Sequence, residues 1–213
     1  EHDTPSLPNA YSGVSWFEDN QTFLIRDKFD YWLFDVKNPT SPKMFTDGYG
    51  RKNNTQLSIT NLVEDSEKIA RSLFGGSTKM KKNQPIYFTT FNRTTKENGL
   101  AIKDLSKKKA EVKKIVEGPY TFNNLNYAKA GKGKKAAFVY VRGNFEEGNN
   151  TFVTYDNFKT QKQLTDINPQ QREYNWGTVE LVNWRTADDI FCEGLLYKPE
   201  NFDPNKKYPV MVY

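Results

Sequence analysis

An internal repeat constrains the fold of this chain more than any other feature. Three times along the sequence, a hydrophobic run and a short turn are followed by a second hydrophobic run that ends near an aspartate. A basic loop and a last short run then close the unit. Residues 11–166 are therefore predicted to form three four-stranded antiparallel units of about 50 residues each, which is the size of a β-propeller blade.

The repeating aspartates are Asp35 in LFDV, Asp104 in IKDL and Asp156 in TYDN. A residue at such a position can be functional, but more often its carboxylate accepts backbone N–H bonds in a turn, and we favour the turn role. The first strands of the three units are expected at 11–17, 55–62 and 122–128. The middle unit is longer because residues 64–73, EDSEKIARSL, carry a helical pattern that predicts a helix inserted in a loop.

The composition agrees with an all-β chain and excludes several classes of protein. Aromatic residues make up 15% of the 213 residues, which favours strands and disfavours disorder. No apolar run approaches the ~20 residues of a membrane-spanning helix. The only cysteine, Cys192, is expected to be a buried structural thiol, and the only histidine, His2, lies in a polar tail at 1–10. The sequence therefore predicts neither a metal site nor a cofactor.

The chain carries 31 basic and 26 acidic residues, for a net charge of +5. Its lysines cluster at 79–82, 107–114 and 129–135. We interpret these clusters as solvated loops and edge strands, where lysine blocks strand-to-strand aggregation. A nucleic-acid-binding domain is a competing interpretation, but arginine is sparse near the clusters and no known nucleic-acid motif accompanies them.

The repeat breaks at 167–177, INPQQREYNWG, which we interpret as a linker. Two strand-like runs at 178–184 and 190–199 predict a hairpin, and YPVMVY at 208–213 predicts a further strand. The whole segment from Thr178, TVELVNWRTADDIFCEGLLYKPENFDPNKKYPVMVY, resembles the start of the catalytic domain in the prolyl oligopeptidase family of serine peptidases. DKFDYWLFDV at 27–36 and DGYGRKNN at 47–54 are similar to the propeller of bacterial exported members of that family.

The resemblance implies a parent protein with an N-terminal β-propeller and a C-terminal α/β-hydrolase domain. Residues 11–166 would be the last three blades, and 178–213 would be the truncated start of the hydrolase domain. The parent would be a periplasmic or secreted serine peptidase that hydrolyses oligopeptides. This chain would gate and shape the substrate cavity, with peptide substrates and its own hydrolase domain as partners. The alternative is a non-catalytic β-propeller that binds protein or another ligand.

The chain by itself is expected to be catalytically inert. A serine peptidase of this kind needs a serine on a Gly-x-Ser-x-Gly turn, a carboxylate and a histidine base. Ser15 lies in GVSWF, which lacks the second glycine, and Ser77 lies in a polar loop. No catalytic residue is therefore assigned. Tyr213 is interpreted as a strand residue, Glu146 and Glu147 in FEEGNN as part of a hairpin loop, and the substrate-binding residues remain unassigned.

Two predictions concern surfaces. Alternation places Trp32 and Phe34 on one face of a strand and Tyr31 on the other, and all three are expected to be substantially buried because stacked blades cover both faces of a sheet. Three blades outside a closed ring leave two flat apolar faces without a neighbour. The chain is therefore expected to self-associate, or to fold so that residues 178–213 cover one of these faces.

Overall fold

The computed structural model describes residues 11, 13–60, 79–128, 132–133 and 135–212. The predicted tail at 1–10 and the predicted helix at 64–73 lie outside the described residues, as do Ser77 and Tyr213. None of the helices in the described part of the chain is long and apolar enough to cross a membrane.

The described chain is all-β, with three four-stranded antiparallel sheets followed by a two-stranded hairpin. The first sheet consists of β1 (Ser15–Trp16), β2 (Thr22–Arg26), β3 (Tyr31–Asp35) and β4 (Lys43–Met44). A short helix, α1 (Tyr49–Lys52), leads to the second sheet, which consists of β5 (Thr55–Thr60), β6 (Pro85–Asn92), β7 (Asn98–Asp104) and β8 (Val112–Gly118). The third sheet consists of β9 (Thr121–Ala128), β10 (Ala137–Gly143), β11 (Asn150–Thr154) and β12 (Lys162–Gln163). A 3-10 helix at Pro169–Glu173 precedes the hairpin of β13 (Thr178–Arg185) and β14 (Phe191–Lys198).

Each four-stranded sheet is a meander in which strands adjacent in sequence are hydrogen-bonded neighbours. The predicted division into three four-stranded antiparallel units is confirmed, and none of the sheets closes on itself. The first strand predicted at 11–17 is shorter in the structure and pairs with β2 only at Ser15 and Trp16. Beyond it, Met80 extends the first sheet through a parallel bridge to Phe17.

The second sheet lies between the other two and has an apolar core on each face. On one face, Leu57 and Phe88 pack with Leu24 and Tyr31 of the first sheet. On the other face, Leu100 packs with a set of aromatic side chains from the third sheet, namely Phe138, Tyr140, Phe152 and Phe158. Sheets stacked face to face exclude water from the side chains between them, which is the main source of stability in such an arrangement.

The first sheet has this kind of cover on one face only. Tyr31 is 3% exposed and points into the core, as predicted. Trp32 and Phe34 lie on the opposite face and are only half-buried. The three side chains are thus covered to different degrees, because among the described residues a second sheet covers only the face of Tyr31.

A buried carboxylate connects the first sheet to helix α1. The side chain of Asp30 is completely buried, and it accepts hydrogen bonds from the Thr46 hydroxyl at 2.7 Å, the Gly50 N–H at 2.8 Å and the Arg51 guanidinium at 3.0 Å. Gly50 has to be glycine, since a Cβ there would lie 2.5 Å from the carbonyl oxygen of Phe29. The resulting network holds the two segments DKFDYWLFDV and DGYGRKNN together.

The strand predicted at 208–213 does not form over the described residues 208–212. Val210, Met211 and Val212 are 77%, 88% and 88% exposed. An extended segment becomes a strand only when a neighbouring edge accepts its backbone hydrogen bonds, and the apolar character of the run does not supply such an edge.

Candidate functional site

The described residues do not bring a serine, a histidine and a carboxylate together. Ser15 begins β1 beside Trp16, while Ser77 and the only histidine, His2, lie outside the described residues. The absence of a catalytic residue from this chain stays a prediction.

The repeating aspartates have the turn role that the sequence favoured. Each lies at or just beyond the end of the third strand of its sheet, and one carboxylate oxygen accepts a backbone N–H from the following turn. At Asp156, the hydroxyl of Thr160 also donates to the carboxylate, and this bond is the main reason that its pKa is lowered to about 2. The backbone donors to Asp35, Asp104 and Asp156 are Lys37, Ser106 and Thr160, at 2.9, 3.2 and 2.9 Å.

A polar cleft lies where the turn between β10 and β11 meets the linker to the hairpin. We call it the linker cleft. It encloses about 340 Å³. Two cations and three carboxylates line it, together with the indole of Trp176, and the charged residues are Arg142, Glu146, Glu147, Asp166 and Arg172.

The inner wall of the linker cleft carries Arg142 in a fixed position. Its guanidinium carbon lies 4.1 Å from the ring centre of Phe152 and 4.3 Å from that of Tyr120, so two aromatic faces enclose the cation. The same guanidinium donates to Gln161 at 3.1 Å and to Glu147 at 3.4 Å. Arg142 therefore presents a positive charge that cannot easily reorient.

The turn that holds Glu146 and Glu147 is equally well ordered. The side-chain oxygen of Asn144 accepts the backbone N–H groups of Glu146 at 2.9 Å and Glu147 at 2.7 Å. This is an Asx turn, and it confirms the predicted hairpin loop. The Gln171 amide donates to the carbonyl of Glu146 at 2.9 Å and thereby joins the loop to the linker.

The outer wall is held by the linker itself. Arg172 donates two hydrogen bonds to Asp166, at 2.6 and 3.1 Å. The Trp176 indole donates to the carbonyl of Phe145 at 2.7 Å. The linker cleft is thus pre-formed, and its mixed charges can hold a polar or zwitterionic group. The described residues that line it include neither serine nor histidine, the nucleophile and base of a serine peptidase.

The hairpin beside the linker cleft exposes an unusual amount of apolar surface. Phe191 and Leu195 on one face are 56% and 59% exposed, and Trp184 on the other face is 49% exposed. A two-stranded hairpin is only marginally stable alone. Among the described residues, an ion pair from Lys96 to Glu193 at 2.5 Å attaches it to the second sheet, and the rings of Tyr197 and Phe145 pack with their centres 5.1 Å apart.

Cys192 lies in this hairpin, directly opposite Trp184. It is a free thiol and only half-buried, so the expectation of a buried structural thiol is wrong. Burial would need a layer over this face of the hairpin, and the described part of the chain supplies only partial cover.

Sequence reasoning missed the linker cleft and Arg142. One signal was available, because alternation along AFVYVRG places Arg142 on the same face of β10 as the buried residues Phe138 and Tyr140. A cation on an aromatic face is a candidate for enclosure between rings. The aromatic partners could not be identified in the same way, since Tyr120 and Phe152 come from other strands and turns.

Comparisons with known proteins leave the family open. No family model matches the sequence, and no curated protein matches it. Among solved structures, a variant of the AtxE2 isopeptidase with Astexin3-dC4 bound is 12% identical with a TM-score of 0.46, and the match covers 93% of this chain and 40% of the other. The apo AtxE2 isopeptidase is 13% identical with a TM-score of 0.43, covering 84% and 31% of the two chains.

The N-terminal domain of Nup159 is 9% identical with a TM-score of 0.28, covering 91% of this chain and 59% of that domain. The match to the two isopeptidases covers 40% and 31% of their chains, so this chain spans less than half the length of either. At these identities and TM-scores, the similarities assign neither a family nor an activity.

Proposed function

We propose that this chain is the β-propeller portion of an exported serine peptidase of the prolyl oligopeptidase family. In this proposal it gates and shapes the cavity for oligopeptide substrates. A hydrolase domain of the parent protein supplies the serine, aspartate and histidine. The chain itself binds and positions but does not cleave.

One observation carries the proposal: three consecutive four-stranded meanders stack face to face and lead into a hairpin that bears the LLYKP motif. Stacked meanders of this size are the units of a β-propeller. The hairpin occupies the position in the chain where the family resemblance expects the hydrolase domain to begin.

The outer face of the first sheet supports a further blade before it. Trp16, Phe23 and Phe34 form a row on this face, with ring centres 4.8 and 5.3 Å apart. Trp16 is 37% exposed, and the other two are half-buried. A preceding blade packed on this row would bury it, as the second sheet buries the opposite face.

The exposed apolar side chains of the hairpin support a partner domain that packs on the hairpin. A hydrolase domain packed on the face that carries Trp184 and Cys192 would cover Trp184 and give this face the cover it lacks. The linker cleft, with the fixed charge of Arg142, would then lie near the boundary between the two domains. That is the place from which a propeller can shape a substrate cavity.

The experiment uses the full-length parent protein and a fluorophosphonate probe, which labels an activated serine. The parent is expected to be labelled and to cleave oligopeptides. Two controls are expected to show neither labelling nor cleavage. One is a parent variant in which alanine replaces the serine of the Gly-x-Ser-x-Gly turn, and the other is the 213-residue chain. A folded parent that is not labelled would overturn the peptidase proposal and favour the non-catalytic binding propeller. Cell fractionation of the parent tests the proposed export.

A further inference from the structure

A second cleft lies between β14, the turn from β6 to β7 and the turn from β2 to β3. We call it the hairpin cleft. It encloses about 430 Å³, which is within the size range of small-ligand sites. The first sheet contributes Phe29 to its lining, the second sheet contributes Arg93, and the hairpin contributes Phe191.

The charge of this lining is predominantly positive. Among the described residues of the lining, Lys28, Arg93 and Lys96 stand beside one carboxylate, Glu193. Lys96 already donates to that carboxylate at 2.5 Å, so the Glu193 charge is compensated. The guanidinium of Arg93 makes no hydrogen bond and no ion pair within the part of the chain that the structure describes, and its side chain lines the cleft.

The loop that carries Arg93 is held in place. The Arg93 N–H donates to the carbonyl of Asn54 at 2.9 Å, and the Lys96 ammonium donates to the Arg93 carbonyl at 2.6 Å. The amide of Asn54 also donates to the hydroxyl of Thr94 at 3.0 Å. The backbone under the guanidinium is therefore ordered before any ligand binds, which lowers the entropic cost of binding.

The remaining lining is apolar or neutral. Phe191 is 56% exposed and Phe29 is half-buried, and both line the hairpin cleft. The side chain of Asn183 also lines the cleft and can donate to or accept from a peptide group. A planar guanidinium matches the two oxygens of a carboxylate, and the phenyl rings match an apolar side chain next to it.

We propose that the hairpin cleft binds the C-terminal carboxylate of a peptide whose last side chain is apolar. Arg93 pairs with the carboxylate, and Phe29 and Phe191 contact the apolar side chain. The choice of a peptide rests on the proposed function. The recognition of a carboxylate rests on the cleft alone, and its test does not depend on catalysis.

The test measures binding of N-acetyl-Ala-Phe to the 213-residue chain by calorimetry, and compares it with the C-terminal amide of the same peptide. The free acid is expected to bind about tenfold more tightly than the amide, which corresponds to about 1.4 kcal/mol. Raising the salt concentration should reduce this preference, because the pair is partly solvated.

The R93Q variant should lose the preference for the acid, and R93K should keep part of it. Lys108 is exposed and lies in the β7–β8 turn, away from the hairpin cleft, so K108Q is the matched control and should bind like the unmodified chain. Thermal unfolding of each variant checks that the fold is intact. Since the Arg93 side chain has no partner in the described structure, R93Q should unfold at an unchanged temperature.

Equal affinity for acid and amide would overturn the proposal, and so would a preference that survives R93Q. Inorganic phosphate that binds through Arg93 as tightly as the peptide acid would overturn the assignment to peptides. None of these results bears on whether the parent is labelled by the fluorophosphonate probe, so a failure here is distinct from a failure of the proposed function.

Discussion

Replacing Asp30 with alanine should destabilise this chain more than any change at an exposed aspartate. The side chain is 0% exposed, and its two oxygens accept four hydrogen bonds. Two of these bonds come from the backbone and the guanidinium of Arg51, and the other two come from the hydroxyl of Thr46 and the N–H of Gly50. The change removes the acceptor for all four donors at once.

The cost follows from what is left behind. Thr46 is also 0% exposed, and Gly50 is buried at the start of helix α1, so neither donor can turn to water. A buried donor without a partner costs about 1–3 kcal/mol. The Arg51 side chain is 43% exposed and keeps Asp27 as a partner, so the cost comes mainly from the buried Thr46 and Gly50 donors. We therefore expect D30A to lower the free energy of unfolding by about 3–5 kcal/mol.

A urea titration followed by tryptophan fluorescence and circular dichroism measures this loss. D30N keeps one acceptor oxygen and the size of the side chain, so it should lose about half as much. Asp188 lies in the exposed hairpin turn, and D188A should change the free energy by less than about 0.5 kcal/mol. A loss below about 1 kcal/mol for D30A would refute the network as a source of stability.

Two further predictions concern acid stability and association. Burial of Asp27 acts to raise its pKa, but hydrogen bonds from the Asp30 N–H, the Trp32 indole and other donors outweigh burial and lower the pKa to about 2. The stability that this carboxylate contributes is present above about pH 4 and is lost as the pH falls towards about 2. In urea titrations over this pH range, D27N should therefore lose less free energy of unfolding than the unmodified chain does. Equal losses in the two proteins would contradict this prediction. Light scattering after gel filtration measures self-association, which should weaken in L195D because Leu195 is 59% exposed on the hairpin. An unmodified chain that is strictly monomeric would contradict this prediction.

The strands and their turns could be predicted from the sequence because their signals are local. In β6, PIYFTTFN, alternation places Ile86 and Phe88 on one face and Tyr87 on the other, and the structure buries them in two different cores. The Asx turns at Asp35 and Asp104 involve residues only two positions away. Neither signal needs information from a distant part of the chain.

The two clefts could not be predicted from the sequence, because each joins residues that are far apart in it. Arg142 is enclosed by Tyr120 and Phe152, and the hairpin cleft joins Phe29 to Phe191. The buried Lys103 is a similar case. Its position in β7 predicts an ordinary strand residue, yet its ammonium lies 2.6 Å from a carboxylate oxygen of Asp47 in the first sheet's last loop.

By itself, the sequence determined which segments are extended, where they turn and which side chains share a face. Only the tertiary structure decided which of those faces are covered. Trp32 and Phe34 share a face, as predicted, but remain half-buried, and Val210–Val212 stay exposed in an apolar run. The physical reason is that alternation is a property of the backbone at each residue, whereas burial and strand pairing require a second surface that comes from elsewhere.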